Sequence, residues 1–279
     1  MAIHDQGYRR YGGRREQRGT AWTVIALAGL RAIVRRRAFL ALLLLAWILF
    51  IVRAVQFYAA ANFPQAAFLA PSASTFRQFL EQQSFWVFII TVWVGSGLIA
   101  DDRRTNALQL YLSKPLTRAE YVAGKAAILG TLLLFITWVP AILLLLVQIV
   151  FAGNLTFLRQ NLFLFPAITI FSFVEVLMTT VVMLALSSLS RSRLFVGILY
   201  TALIFFSQAL FGVLVAVTGG TMIAWISYPA NLTQIGDAIF RLPLHYETPW
   251  PVALIMIAAL VLASVATLAW RVRGVEVVA

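Results

Sequence analysis

Between residues 101 and 125 the sequence reads DDRRTNALQLYLSKPLTRAEYVAGK, with eight charged residues in a chain of which only 11% is charged. Asp101, Asp102, Arg103 and Arg104 come first, and Thr105–Leu112 follows with helix-forming residues that set Leu108, Tyr111 and Leu112 on one apolar side. Ser113-Lys114-Pro115 breaks that helix, because proline has no N–H to donate and clashes with the preceding turn. Thr117-Arg118-Ala119-Glu120 reads as a capping box, the Thr117 hydroxyl capping a new helix while Glu120 reaches back. Gly124-Lys125 closes the segment. The segment reads as helix, sharp break and fresh helix, a short helix held at both ends by long spans; from composition alone an interfacial loop packed under the bundle fits equally well.

Other chemistries find no residues. The chain has no cysteine, which excludes thiol catalysis, disulfides and thiolate metal sites. His4 and His245 are far apart, and neither sits in a metal-ligand spacing. Gly95-Ser96-Gly97 superficially resembles a serine nucleophile, but a serine needs a base, and His245 belongs to a distant loop. No G-x-x-x-x-G-K-[ST] phosphate loop occurs; Gly124-Lys125 is followed by Ala126 and preceded by no glycine-rich turn. No catalytic residue, metal ligand or bound cofactor is assigned, and the chain is expected not to be an enzyme.

The elements that must hold residues 101–125 follow from composition. Of the 279 residues 62% are hydrophobic, far more than a soluble domain of this size can bury. The expectation is an all-α membrane protein. A helix crosses the hydrocarbon with about 20 apolar residues, and six stretches qualify, at about 38–58, 84–100, 126–152, 162–189, 194–217 and 250–270. Pro140 is expected to kink the third, and Pro166 falls in the first turns of the fourth. Residues 1–19 are Arg- and Gly-rich and read as a disordered basic tail without a signal peptide. Residues 20–37 read as a helix lying in the interface, with Trp22, Ile25, Ala26, Gly29 and Ile33 on one side and Arg31 and Arg35 on the other. The domain of six spans runs over 38–270, and 271–279 is a second tail.

The net charge of +12 belongs to this arrangement rather than to nucleic-acid binding. In a six-span chain, 18 of the Lys and Arg residues fall on one side, and only Arg77, Arg159 and Arg241 on the other. By the positive-inside rule both termini and residues 101–125 are expected in the cytoplasm, and the chain in the cell (inner or plasma) membrane.

The segment resembles the loop after span two in the permease subunits of type-2 ATP-binding-cassette (ABC) exporters. The resemblance rests on Asp102-Arg103, Asn106-Ala107-Leu108, Leu112-Ser113-Lys114-Pro115-Leu116-Thr117-Arg118, Tyr121 and Gly124-Lys125, about thirty residues within a matching frame of six spans. The pattern departs at Thr105-Asn106, where Gly-Thr is common, and lacks the usual Glu before the Leu-rich part. The resemblance implies that 20–37 is the elbow helix and that 101–125 holds the coupling helix. Asp101, Asp102, Arg103, Arg104, Asn106, Leu108, Tyr111, Leu112, Lys114, Pro115, Arg118, Glu120 and Lys125 would then meet an ATPase subunit. It also implies two copies of a cytoplasmic ABC ATPase carrying ATP and Mg, and a second permease chain forming a homodimer or heterodimer in the bilayer. The alternatives are an ATP-independent carrier or scaffold and an intramembrane enzyme; the absence of an internal repeat weakens an inverted-repeat carrier.

Two charges fall inside spans. Arg53 lies 15 residues from the start of the first span and Glu175 lies 14 from the end of the fourth, so both sit roughly 21–23 Å above the inner boundary at about 1.5 Å per residue. A charge at such depth pairs or faces a cavity. The readings are an Arg53–Glu175 pair, within one chain or across a dimer; a snorkelling Arg53 with Glu175 protonated or bonded to Thr179 or Thr180; or a Glu175 that binds a cationic group on the substrate path. Gly and Pro break residues 218–249 into short helices, with Trp225, Tyr228 and Phe240 as expected interfacial anchors. Asn154-Leu155-Thr156 and Asn231-Leu232-Thr233 match glycosylation triplets, a pattern common by chance.

Overall fold

A computed structural model describes residues 20–107, 117–153 and 156–272, with no side-chain description at 67, 156 and 158. Every regular element among the described residues is helical. The chain opens with α1 (Ala21–Val34) and turns at Arg36, whose extended backbone separates it from α2 (Arg37–Asn62). After a 3-10 turn at Pro64–Leu69 come α3 (Ala73–Ile90), a π-helical turn at Thr91–Gly95 and α4 (Gly97–Arg104). Next are α5 (Arg118–Ile136), α6 (Trp138–Ala152), a short α7 (Thr156–Gln160), α8 (Leu164–Leu189) and α9 (Arg193–Thr218). A 3-10 turn at Ala224–Ile226, α10 (Tyr228–Ile239) and α11 (Trp250–Arg271) complete the described elements.

Six helical stretches are long and apolar enough to cross a membrane: α2, α3–α4, α5–α6, α8, α9 and α11. The chain is a multi-pass membrane protein of the all-α class. The second stretch covers 32 residues and the third 35, more than the roughly 20 that a bilayer requires. The second begins eleven residues before the expected Ser84, because Arg77, Glu81, Gln82 and Gln83 lower its hydropathy without ending its helix. Ser72 starts it with a capping box to Thr75.

The third stretch breaks at Thr137. Pro140 has no N–H for the carbonyl four residues earlier, that of Ile136, and the buried Gln83 donates its Nε2 to that oxygen at 2.7 Å and to Ala46 O at 3.2 Å. One glutamine on α3 thus ties α2 and the kink together. At the π-helical turn, Ser187 on α8 accepts from the N–H groups of Ile99 and Ala100 at 3.1 and 3.0 Å and donates to Ser96 O at 2.9 Å. Interhelical bonds of this kind hold spans together where lipid and core are equally apolar.

α8 is the central span, with 67% of its apolar stretch buried; α2 and α9 are peripheral, at 11% each. α1 packs across the first turns of α5 through the face expected from sequence. A Cβ on Gly124 would lie 2.8 Å from Ile25 Cβ and 3.0 Å from Trp22 O, so only glycine allows this approach. At the opposite end α10 and the flanking turns form the short helices expected within 218–249. Tyr228 and Phe240 are buried in protein and are not interfacial anchors; only Trp225 keeps substantial exposure. Asn231 is buried, and its Nδ2 donates to Trp225 O and Ser227 O, so it is no surface acceptor.

Candidate functional site

The charged end of the bundle is organised around Asp102. α5 places Tyr121 and Lys125 one turn apart on one face, and both reach the same carboxylate oxygen: the Tyr121 hydroxyl donates to Asp102 Oδ2 at 2.7 Å and Lys125 Nζ lies 2.6 Å from it. Lys125 and Tyr121 are buried. The node therefore ties the end of the second span to the start of the third. Arg103 donates to the backbone carbonyl of Ser188 at the end of α8. Asp101 and Arg104 form a looser pair at 3.5 Å.

Asn106 has φ 54°, in the left-handed region that ends a helix, a place where asparagine is tolerated. The other boundary is the capping box expected from sequence: Glu120 N donates to Thr117 Oγ1 at 3.2 Å and Thr117 N to Glu120 Oε2 at 2.9 Å. Arg118 is exposed in the first turn of α5. Leu108, Tyr111, Leu112, Lys114 and Pro115 lie outside the described residues. A cavity of about 320 Å³ opens beside the node, with Arg36, Asp101, Asp102, Lys125 and Arg193 in its wall.

A second polar centre sits inside the bundle around Glu175, which is only 1% exposed. Helical spacing explains its assembly. α3 contributes Arg77, Glu81, Ser84 and Phe88 along one face, α8 contributes Phe171, Glu175 and Thr179, and Tyr200 on α9 and Tyr228 on α10 close the chamber. Its volume is about 190 Å³. Ser84 Oγ donates to Glu175 Oε1 at 2.5 Å, while Glu175 Oε2 is buried with no hydrogen-bond partner. Thr179 Oγ1 and Tyr228 OH are 3.1 Å apart, and the rings of Phe88 and Tyr200 stack with centroids 6.1 Å apart. Burial pushes the Tyr228 hydroxyl up to about 12, so it stays protonated.

Arg77 completes this region. It is buried, lies over the Phe171 ring at 4.9 Å, and places Nε 3.2 Å from Asp237 Oδ1 and Nη1 3.9 Å from Glu81. Gly236 makes the room: a Cβ there would lie 2.8 Å from Arg77 Cζ. Burial raises the Asp237 carboxyl above the ordinary range, with Arg77 and then His245 opposing the shift.

Arg53 and Glu175 do not pair within the chain. Arg53 donates to Gln56 Oε1 at 2.8 Å and to Gln82 Oε1 at 3.2 Å, whereas Glu175 takes Ser84. Matched depth did not imply a matched direction, because Arg53 is on a peripheral helix and Glu175 on the central one. Nor does Glu175 bond Thr179 or Thr180; Thr179 takes Tyr228, and Thr180 Oγ1 is buried without a partner. Arg77 is no loop charge either. Sequence reasoning missed Arg77, Ser84, Asp237, Tyr200 and Tyr228; the available signal was the four-residue and three-residue steps Arg77, Glu81, Ser84 ahead of an apolar run. Ser96 is buried at the junction of the π-helical turn and α4, and its carbonyl accepts from Ser187.

Comparison with protein-family models and with curated proteins finds no match for this chain.

Proposed function

We propose that the chain is the permease subunit of a type-2 ABC exporter, forming the translocation path and coupling ATP hydrolysis by a separate ATPase subunit to export. The observation that carries the reading is the Asp102–Tyr121–Lys125 node. It joins two spans at the point where residues 105–117 leave and re-enter the bundle, so a push on that segment is delivered to both spans together. A short element gripped by two long helices turns a partner's domain motion into a tilt of those helices. The clustered charges of residues 101–125, the α1 helix packed on α5, and the resemblance in sequence support the same reading. In this reading both termini are cytoplasmic, two ATPase copies carry ATP and Mg, a second permease chain packs against this one, and the exposed apolar faces of α2 and α9 meet lipid or that second chain.

The test is co-purification. The chain is extracted from its native membrane, purified with its bound partners and assayed for ATP hydrolysis. An ATPase subunit that accompanies the wild type and is lost after Leu108→Asp or Arg104→Glu is the expected result. Hydrolysis by the purified chain alone, or transport by a stable monomer without ATP, contradicts it. The second reading, an ATP-independent carrier, is favoured by one observation, the buried carboxylate of Glu175 in the wall of a pocket.

A further inference from the structure

We propose that the Glu175 chamber is a binding site for a small protonated amine. The inference stands apart from the choice between exporter and carrier, because it concerns binding and not what drives movement.

The chamber is chemically one-sided. Glu175 is buried and one of its oxygens, Oε2, has no hydrogen-bond partner, so the site lacks a donor at that point. Among the described residues lining the chamber the one guanidinium, Arg77, is already held by Asp237 at 3.2 Å and by the face of Phe171. Glu81, more than half exposed, adds a further carboxylate to the wall. Around Arg77 the buried carboxylates of Glu175 and Asp237 outnumber the one buried guanidinium, and in a low-dielectric interior such an excess attracts positive charge.

The lining selects among cations. Phe88 and Tyr200 offer aromatic surface, which attracts an organic cation. Glu175 Oε2 requires an N–H donor, which a primary or secondary ammonium has and a quaternary ammonium lacks. The hydroxyls of Ser84, Thr179 and Tyr228 offer further polar contacts. A volume of about 190 Å³ is that of roughly six water molecules, so a short alkylammonium fills it where a bare alkali ion would leave most of it to water.

The test uses the full-length chain in lipid nanodiscs, with radiolabelled n-butylammonium as probe and tetramethylammonium, sodium chloride and butyrate as competitors. Saturable binding of butylammonium that none of the three displaces is expected. Glu175→Gln should weaken it by about ten- to a hundredfold, the loss of one charge-assisted hydrogen bond, and Ser84→Ala by less. Arg53→Gln, at a residue that does not line the chamber, should leave it unchanged. Because Glu175→Gln replaces a buried group, Tyr228→Phe, which keeps the ring and removes one hydroxyl, serves as a second variant with measurably weaker binding. Absence of saturable binding, equal displacement by tetramethylammonium or sodium, or full affinity in Glu175→Gln overturns the proposal. The readout contains no ATP, so its outcome is distinguishable from that of the co-purification test.

Discussion

The side chain of Gln83 donates to the carbonyl of Ile136 at 2.7 Å, the acceptor that Pro140 leaves unserved one turn later. The pair lets a proline sit in the middle of a 35-residue helical stretch without an orphaned buried carbonyl. Gln83→Leu should therefore destabilise the protein by about 1–3 kcal/mol, the cost of leaving a buried acceptor unsatisfied. Pro140→Ala in the same background returns a backbone donor and should recover part of the loss. Unfolding of the two single variants and the double variant in detergent checks this; additive losses in the double variant would contradict it.

Asp102 receives both Tyr121 and Lys125, so its carboxylate is the centre of the charged-end node. Asp102→Asn removes the charge 2.6 Å from Lys125 and should lower stability toward the low end of the roughly 3–5 kcal/mol found for broken buried pairs, because Asp102 keeps some contact with solvent. Asp102→Asn combined with Lys125→Met should cost less than Asp102→Asn alone. Thermal unfolding of the three variants decides it, and a double-variant loss equal to the sum of the two single losses would exclude a coupled pair.

The pH dependence of stability should carry a signature of Asp237. Burial makes its carboxyl hold a proton more tightly in the folded chain than in the unfolded one, against the opposing charges of Arg77 and His245 and with Glu81 nearby. Between the ordinary aspartate value, about 4, and the raised folded value, the folded state binds more protons. Stability from this residue is thus greatest below that interval and declines as pH climbs through it. Asp237→Asn should be less stable overall, having lost the Arg77 partner, yet show a shallower decline as pH rises above the ordinary aspartate range. Parallel pH profiles for wild type and variant would contradict the assignment.

The six spans were legible because a bilayer demands long apolar runs, and the capping box at Thr117 and Glu120 because its spacing is a local rule. The start of α3 was not, since hydropathy counts Arg77 and Gln83 as unfavourable without knowing that Asp237 and Ile136 answer them from far along the chain. Arg53 and Glu175 show the same limit in another form: helical rise gives depth, while the direction in which a side chain points depends on which neighbour each helix packs against. Tyr228 and Phe240 read as anchors because aromatic residues serve interfaces and cores alike; burial against α8 and α9, visible only after packing, decides between the two roles.

In the proposed exporter, residues 101–125 face the cytoplasm and are gripped there by an ATPase. The chain contains no cysteine, so Ser113→Cys gives one thiol and an unambiguous label. Sealed cells and inverted membrane vesicles are treated with a membrane-impermeant maleimide, with and without the co-purified ATPase restored to stripped vesicles. Labelling only in inverted vesicles, with protection when the ATPase is present, is the expected result. Labelling from the outside of intact cells, or labelling in inverted vesicles that the ATPase leaves unchanged, would contradict it.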